Sequence, residues 1–195
     1  MSKSKMLPCD APEKLLGKEF EKLCVRDALG NPHFHMSRYG VMGVFLKGQW
    51  RPVTSLPDFE GVLKPHGRQF IFEAKVTSGA SFSLSEDKLH KAQINHLLRR
   101  AEYGAVCFLL IHFNQRKLSK KTVKAETWAF PVHPENAYWE AFVRKEVKSI
   151  NILDCQQYGI ECGWHRTPLQ KGLPRPDLWS VILKTLSSSN FIILD

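Results

Sequence analysis

Long apolar runs are missing from this sequence of 195 residues. No stretch approaches the roughly 18 consecutive apolar residues that a membrane-spanning helix needs, so no membrane partner is expected. The start, MSKSKMLPCD, lacks the apolar core of a secretory leader, and a cytoplasmic protein is the expectation. Cysteines are few: Cys9, Cys24, Cys107, Cys155 and Cys162 are odd in number, irregularly spaced and without a CxxC pair. That pattern supports neither a disulfide framework nor a zinc ribbon, and it suits a reducing compartment. With 12 Gly and 11 Pro the chain is neither collagen-like nor of low complexity. No glycine-rich phosphate loop occurs, which leaves a cofactor-dependent small-molecule enzyme as the least supported class. Negative charge is also short. Against 28 Lys and Arg stand 19 Asp and Glu, and the formal charge of +9 points to a polyanion as partner.

What is present is apolar content sufficient for a core, 43% of the residues, in one domain spanning 1–195. Residues 1–9 read as a basic tail, 10–130 as an α/β core and 131–195 as a C-terminal extension. Asp10, Pro12 and Glu13 carry helix-start signals, and Leu16, Phe20 and Leu23 recur at helical spacing, which predicts a helix over 12–28. Residues 31–40 read as a loop. Strands are expected over 41–47, 58–63 and 69–77, the last two joined as an antiparallel hairpin. A second helix is expected over 86–103, with Glu86 and Asp87 at its start and Arg99 and Arg100 at its end. The run 105–113 is almost continuously apolar, the pattern of a strand buried on both faces. A basic loop over 114–124 follows, then a strand near 127–130, a helix near 134–147, an apolar segment at 150–153 and a helix near 176–186. The predicted architecture is α/β in the order αβββαβ, a central mixed sheet flanked by helices.

The chemistry concentrates in two stretches, Pro57-Asp58-Phe59-Glu60-Gly61 and Phe72-Glu73-Ala74-Lys75. Along a strand over 69–77, Phe70, Phe72, Ala74 and Val76 share one wholly apolar face, and Ile71, Glu73 and Lys75 share the other. An E-x-K pair on a strand is commonly a solvated ion pair worth under about 1 kcal/mol. Asp58 changes the balance, because a hairpin brings it across from Glu73. Two converging carboxylates attract a hard divalent cation such as Mg²⁺. An adjacent lysine can then orient or deprotonate a water and stabilise developing charge. These are the parts needed for phosphodiester hydrolysis.

The ordered set Asp58-Phe59-Glu60-Gly61-Val62, Phe72-Glu73-Ala74-Lys75-Val76-Thr77, Ser81-Phe82-Ser83-Leu84 and His90-Lys91-Ala92-Gln93-Ile94-Asn95-His96 resembles the PD-(D/E)xK nuclease superfamily. Within it, the set is similar to the RecU-type Holliday junction resolvases, densely over 57–113 and more loosely at both ends. The resemblance implies a restriction-endonuclease-like core and a metal-dependent endonuclease of DNA recombination and repair. It implies Mg²⁺, with Mn²⁺ as a possible substitute, and a homodimer, since symmetric cutting of two strands needs two active sites. It further implies that Asp58, Glu73 and the Ala74 carbonyl bind the metal and that Lys75 acts on the attacking water. Glu21, aligned with Gly17 and preferred to Glu19, would complete the acidic cluster. Gln93 would reach toward the site from the second helix.

DNA contacts are expected from Thr77, Lys91, Arg99, Arg100, Arg116, Lys117, Lys120 and Lys121. Glu60 reads either as a ligand of a second metal or as an ion-pair partner. His33 and His35, like His90 and His96, have no Cys or carboxylate at zinc spacing. Resolvases of this family carry a projecting stalk between the first helix and the first acid. Here only about 35 residues are available for it. Hence two alternatives stand beside the resolvase: a nuclease of the same superfamily acting on duplex or other structured DNA without junction specificity, and a catalytically inactive DNA-binding module.

Overall fold

Alternating and continuous apolar runs set the strands, and apolar stripes at 3.6-residue spacing set the helices. In chain order the elements are β1 (Leu7–Cys9), α1 (Gly17–Ala28), β2 (Phe34–Arg38), β3 (Met42–Leu46), β4 (Gln49–Val53), β5 (Phe59–Leu63), β6 (Gln69–Thr77), β7 (Ser81–Ser83), α2 (Lys88–Glu102) and β8 (Val106–Phe113). There follow β9 (Arg116–Lys117), β10 (Thr122–Val123), β11 (Glu126–Pro131), α3 (Ala137–Val143), β12 (Ser149–Asn151), α4 (Ile152–Tyr158), β13 (Ile160–Glu161), β14 (Trp164–Arg166), β15 (Arg175–Pro176) and α5 (Leu178–Ser188). The computed structural model describes residues 7–39, 42–53, 57–65, 67–84, 88–117, 122–166 and 174–188. No described helix is long and apolar enough to cross a membrane.

Six strands form the central mixed sheet in the order β13-β11-β8-β6-β5-β2. The β6 and β8 strands are parallel and joined through α2, while the other neighbours are antiparallel. Every residue of β8 is buried, as its continuous apolar run requires of a strand covered on both faces. Phe70, Phe72 and Ala74 of β6 pack with Phe20 and Leu23 of α1 and with Val181 and Ile182 of α5. Ile71 of β6 and Leu109 of β8 pack on the opposite face with Ile94 and Leu97 of α2 and Trp139 of α3. Phe59, Phe72 and Phe108 stack across three adjacent strands, with ring centroids 4.7 and 4.9 Å apart. Each buried phenylalanine contributes roughly 1.5–3 kcal/mol through area removed from water. The result is a helix–sheet–helix arrangement in the αβββαβ order.

The first strand of that core is not the expected one. Residues 31–40, read as a loop, contain β2, which pairs with β5 from Phe34↔Leu63 to Arg38↔Phe59. Only Phe34 is fully buried in this edge strand, so its outward polar residues hid the extended pattern. The expected strand at 41–47 instead pairs with β4 in a separate two-stranded hairpin. Lys47 and Gly48 turn that hairpin with φ of 52° and 75°, the left-handed pair that suits a two-residue loop.

Helix α1 begins at Gly17 rather than at residue 12, because the preceding chain is tied to the end of β8. Asn114 accepts the Leu15 N–H (2.7 Å) and donates to the Leu15 carbonyl (3.2 Å), and the Gln115 N–H donates to the Glu13 carbonyl (2.7 Å). Backbone groups used in this way cannot join a helical turn. Glu19 caps the helix that does form, accepting the Leu16 N–H at 2.9 Å. The end of the expected tail, Leu7–Cys9, is strand β1 and pairs with Trp164–Arg166 of β14. Within the expected basic loop, Arg116 and Lys117 pair with Val123 and Thr122. The expected helix at 134–147 is confined to α3, capped by Asn136 and followed by Lys145 at φ 64°. The apolar segment at 150–153 divides between β12, which pairs with β7, and the start of α4.

Candidate active site

Strand β5 stops pairing with β6 at Phe59↔Phe72, so the next residues, Asp58 and Glu73, face each other where the ladder ends. The two carboxylates are locked by backbone groups. The Asp58 N–H donates to Glu73 Oε2 (2.9 Å), and the Ala74 N–H donates to Asp58 Oδ2 (3.1 Å). Ladder donors that would otherwise be orphaned thus hold both acids in place. In a strand the N–H and C=O of one residue point to the same side, so the Ala74 carbonyl also faces Asp58. Lys75, on the same face as Glu73, donates from Nζ to Glu73 Oε1. Glu73 is 1% exposed, whereas the Lys75 side chain retains 20% exposure and can meet water.

Burial raises the Glu73 carboxyl well above the usual carboxylate range; the Asp58 charge adds to this and Lys75 opposes it. Glu21 is also raised, first by burial and then by Asp58, against Arg38 and Lys75. Asp58 and Lys75 therefore act on both Glu21 and Glu73. Of the two glutamates weighed in α1, Glu19 serves as a helix cap and Glu21 lies in this cluster. Among the described residues, no three His, Cys, Asp or Glu side chains stand close enough to hold a metal together. The donors available are the Asp58 and Glu73 carboxylates and the Ala74 carbonyl. That hard-oxygen set, with a raised buried carboxylate facing a second acid, fits a divalent ion that keeps several waters.

Gln93 comes to the same level through the crossover. Helix α2 runs antiparallel to β6 and β8, and its Arg100 donates to Gln69 Oε1 at the start of β6. Two helical turns back from Arg100 is about 10 Å, which matches about three strand residues and brings Gln93 level with Glu73. Gln93 is 6% exposed, and its Oε1 has no hydrogen-bond partner among the described residues.

The other predicted residues separate. Thr77 accepts the Gly79 N–H and donates to the Ser81 carbonyl, both at 3.1 Å, so its hydroxyl holds the strand end. Arg116 donates to the Gly79 carbonyl (3.3 Å) and lies over the Phe113 ring, near the Thr77 end of β6, with Lys117 beside it in β9. Arg100 and its neighbour Arg99 are at the opposite end. Lys91 lies on the flank of α2 away from Gln93. Lys120 and Lys121 lie outside the described residues. Glu60 accepts from the Tyr39 hydroxyl and from Gln69, with Arg100 3.9 Å away, so it stands in an ion-pair network. His33 stacks on Trp179 with centroids 4.4 Å apart.

Two residues of the site escaped the sequence reading. Arg38 pairs with Glu21, and the Tyr39 N–H donates to the Asp58 carbonyl at 2.9 Å. Arg38 ends the unrecognised strand β2 and Tyr39 follows it, and no motif marks either.

A family model described as RecU, Recombination protein U, matches residues 50–170. The Holliday junction resolvase RecU of Streptococcus suis (strain 05ZYH33) is 31% identical over 115 residues, 59% of this chain and 50% of that protein. The Holliday junction resolvase RecU of Geobacillus sp. (strain WCH70) is 28% identical over 138 residues, 69% of this chain and 59% of that protein. The chain spans about half the length of the Streptococcus proteins it matches. The 1.6 Å structure of Archaeoglobus fulgidus Hjc, a Holliday junction resolvase from an archaeal hyperthermophile, aligns with a TM-score of 0.44 and 19% identity. That alignment covers 74% of this chain and 95% of the other.

Proposed function

The chain belongs to the RecU, or Recombination protein U, family, and on that premise we propose that it is a metal-dependent endodeoxyribonuclease that cuts four-way DNA junctions. Mg²⁺ is the ion proposed, with Mn²⁺ as a substitute, and two copies would act together so that two strands are cut symmetrically. The observation that carries the reading is the interlock of Asp58 and Glu73 through each other's backbone, with Lys75 on the same face.

Asp58, Glu73 and the Ala74 carbonyl would hold the ion. When bound, such an ion acidifies a water and offsets charge on a phosphate oxygen. Lys75, whose side chain keeps access to solvent beside the buried Glu73, orients the attacking water and accepts its proton or stabilises the charge that develops. Glu21, held by Arg38, keeps further negative charge beside Asp58. Gln93 offers its free amide oxygen at the level of Glu73. Arg116 and Lys117, beyond the Thr77 end of β6, take backbone phosphates, and such contacts weaken steeply with salt.

A second reading, cutting of duplex or other structured DNA without junction preference, is favoured by the insertion between β2 and β5. There the described strands form a hairpin of only five residues on each side. The test is cleavage of four-way junction, duplex and single-stranded DNA in Mg²⁺, Mn²⁺ or EDTA, beside Asp58→Ala. Junction cutting that needs the ion and falls at least about a hundredfold in Asp58→Ala is the expected result. Equal cutting of duplex and junction would select the second reading. Metal-independent binding without cleavage, unchanged by Asp58→Ala, would leave a binding module.

A further inference from the structure

Away from the acidic cluster, a hollow of about 410 Å³ opens between α2, the end of α3 and the chain leading into β12. Its size is that of pockets that hold small ligands or side chains of a partner, roughly 300–1,000 Å³. Leu84, Phe142, Val143 and Val147 form the walls, and Lys91, Lys145 and Lys148 stand around them. None of the described residues lining it is acidic. On α2, Lys91 lies roughly half a turn round from Gln93 and Arg100, so this flank faces away from the proposed nuclease centre.

The walls are braced. The Leu84 N–H donates to the Lys148 carbonyl (2.8 Å), the Lys145 N–H to the Phe142 carbonyl (2.9 Å) and the Glu146 N–H to the Ala141 carbonyl (2.9 Å). Val143 is 65% exposed, an apolar side chain left open at the mouth. It also lines an adjoining hollow of about 300 Å³ whose charged residues are Glu102, Glu140 and Arg144, the last 3.7 Å from Glu140. Among the described residues the groove is therefore basic at one end and of mixed charge at the other.

This distribution decides between occupants. A nucleic-acid strand stacks on open aromatic faces and takes its phosphates along a continuous basic track. Here the walls are mainly aliphatic, the aromatics Phe142 and Trp139 are 9% and 1% exposed, and a strand continuing along the groove would leave the lysines for Glu102 and for Glu140 paired with Arg144. A peptide can confine its charge to one end and place a large apolar side chain beside it. We propose that this hollow docks an acidic segment of a partner protein, its apolar anchor between Val143 and Val147 and its carboxylates on Lys145, Lys148 and Lys91.

The surface stands independently of the nuclease reading. The test is fluorescence polarisation of the full chain with a labelled peptide that carries Asp-Asp-Glu next to Phe-Leu. Saturable binding is expected, weakened at least tenfold in the Lys145→Glu/Lys148→Glu double variant and at least tenfold in Val143→Asp. Replacing Phe-Leu by Ser-Ser in the peptide should weaken it equally, and Asp58→Ala should leave it unchanged. No saturable binding, or binding indifferent to both variants, overturns the proposal. So does displacement of the peptide by oligothymidylate of the same charge, if that oligonucleotide also loses affinity in the double variant. Light scattering that shows a dimer broken by Val143→Asp would assign the face to a second copy, and that outcome also overturns it. Failure in any of these ways leaves junction cleavage and its dependence on Asp58 unaffected.

Discussion

Gly61 lies where β5 passes between β2 and β6, paired with Met36 on one side and Phe70 on the other. A methyl group at its Cβ position would stand 2.5 Å from Cε1 of the buried Phe70 ring and would also press on the His35 carbonyl. Ordinary carbon contacts lie near 3.5–4.0 Å, so the ring would have to move by about 1 Å in a close-packed core. The carbonyl belongs to an adjacent strand and can yield only if β2 moves. Gly61→Ala should therefore cost at least the upper part of the overpacking range, about 3 kcal/mol, or roughly 6–12 °C in melting temperature for a chain of this size. Urea denaturation measures it, and a cycle with Phe70→Leu separates the two clashes. The double variant should recover at least about 1 kcal/mol relative to the sum of the single changes, because the shorter side chain relieves the ring but not the carbonyl. Activity carries a second signature. Asp58 hangs from the end of β5, so a displaced strand should draw its carboxylate from the Ala74 N–H and lower cleavage even where the variant remains folded. A stability change within about 0.5 kcal/mol, or a strictly additive cycle, would refute the reasoning.

Glu73→Gln should abolish cleavage and yet stabilise the metal-free protein at alkaline pH. The raised wild-type carboxyl makes the folded state bind more protons than the unfolded one, so its stability falls as pH rises through and beyond the ordinary carboxylate range. Melting curves in EDTA from pH 5 to 8 check this, and equal slopes for the two proteins would count against it. His112 is the opposite case, a buried base lowered by burial from 6.5 to about 4, beside Thr127 at 2.8 Å. The unfolded state binds the proton first, so wild type should lose about 3 kcal/mol relative to His112→Asn as pH falls from 6.5 to 4, read by urea titration at each pH. Asp27→Ala should cost about 3 kcal/mol by calorimetry, because Asp27 meets His165 at 2.9 Å and accepts the Leu178 N–H at 3.3 Å, both out of solvent. A loss below about 1 kcal/mol would mean that this pair does not join α1 to the C-terminal elements.

Elements whose pattern is set by their own burial were legible. The reading of β6 as Gln69–Thr77 agrees with the structure residue for residue, and β8 differs by one residue, because the buried residues of both strands are apolar apart from Glu73 and His112. Elements shaped by distant partners were not. Strand β2 has a single fully buried residue and is made a strand by β5. The start of α1 is decided by Asn114, about a hundred residues later, which takes both backbone groups of Leu15. The short tail strand β1 likewise depends on Trp164–Arg166 for its hydrogen bonds.

The site shows the same division. Asp58 and Glu73 could be placed together from the sequence because a hairpin converts separation along the chain into register across it. Helical periodicity alone does not separate Glu19 from Glu21, since both suit the first turns of a helix, and only the alignment with Gly17 favours Glu21. The physical distinction is where the helix starts: with Leu16 as the cap position, Glu19 is at the right distance to take its N–H, and Glu21 remains for the cluster. The basic residues fail for the converse reason. Arg100 and Arg116 are close in sequence but are separated by the length of β8, so one meets Gln69 at the start of β6 and the other Gly79 just past its end. At roughly 3.3 Å per residue the nine residues of β6 set them well over 20 Å apart. Arg116 therefore lies at the Lys75 end of β6, held by the Gly79 carbonyl and the Phe113 ring. Arg100 is engaged by Gln69 and Glu60 at the other end, where it braces the sheet.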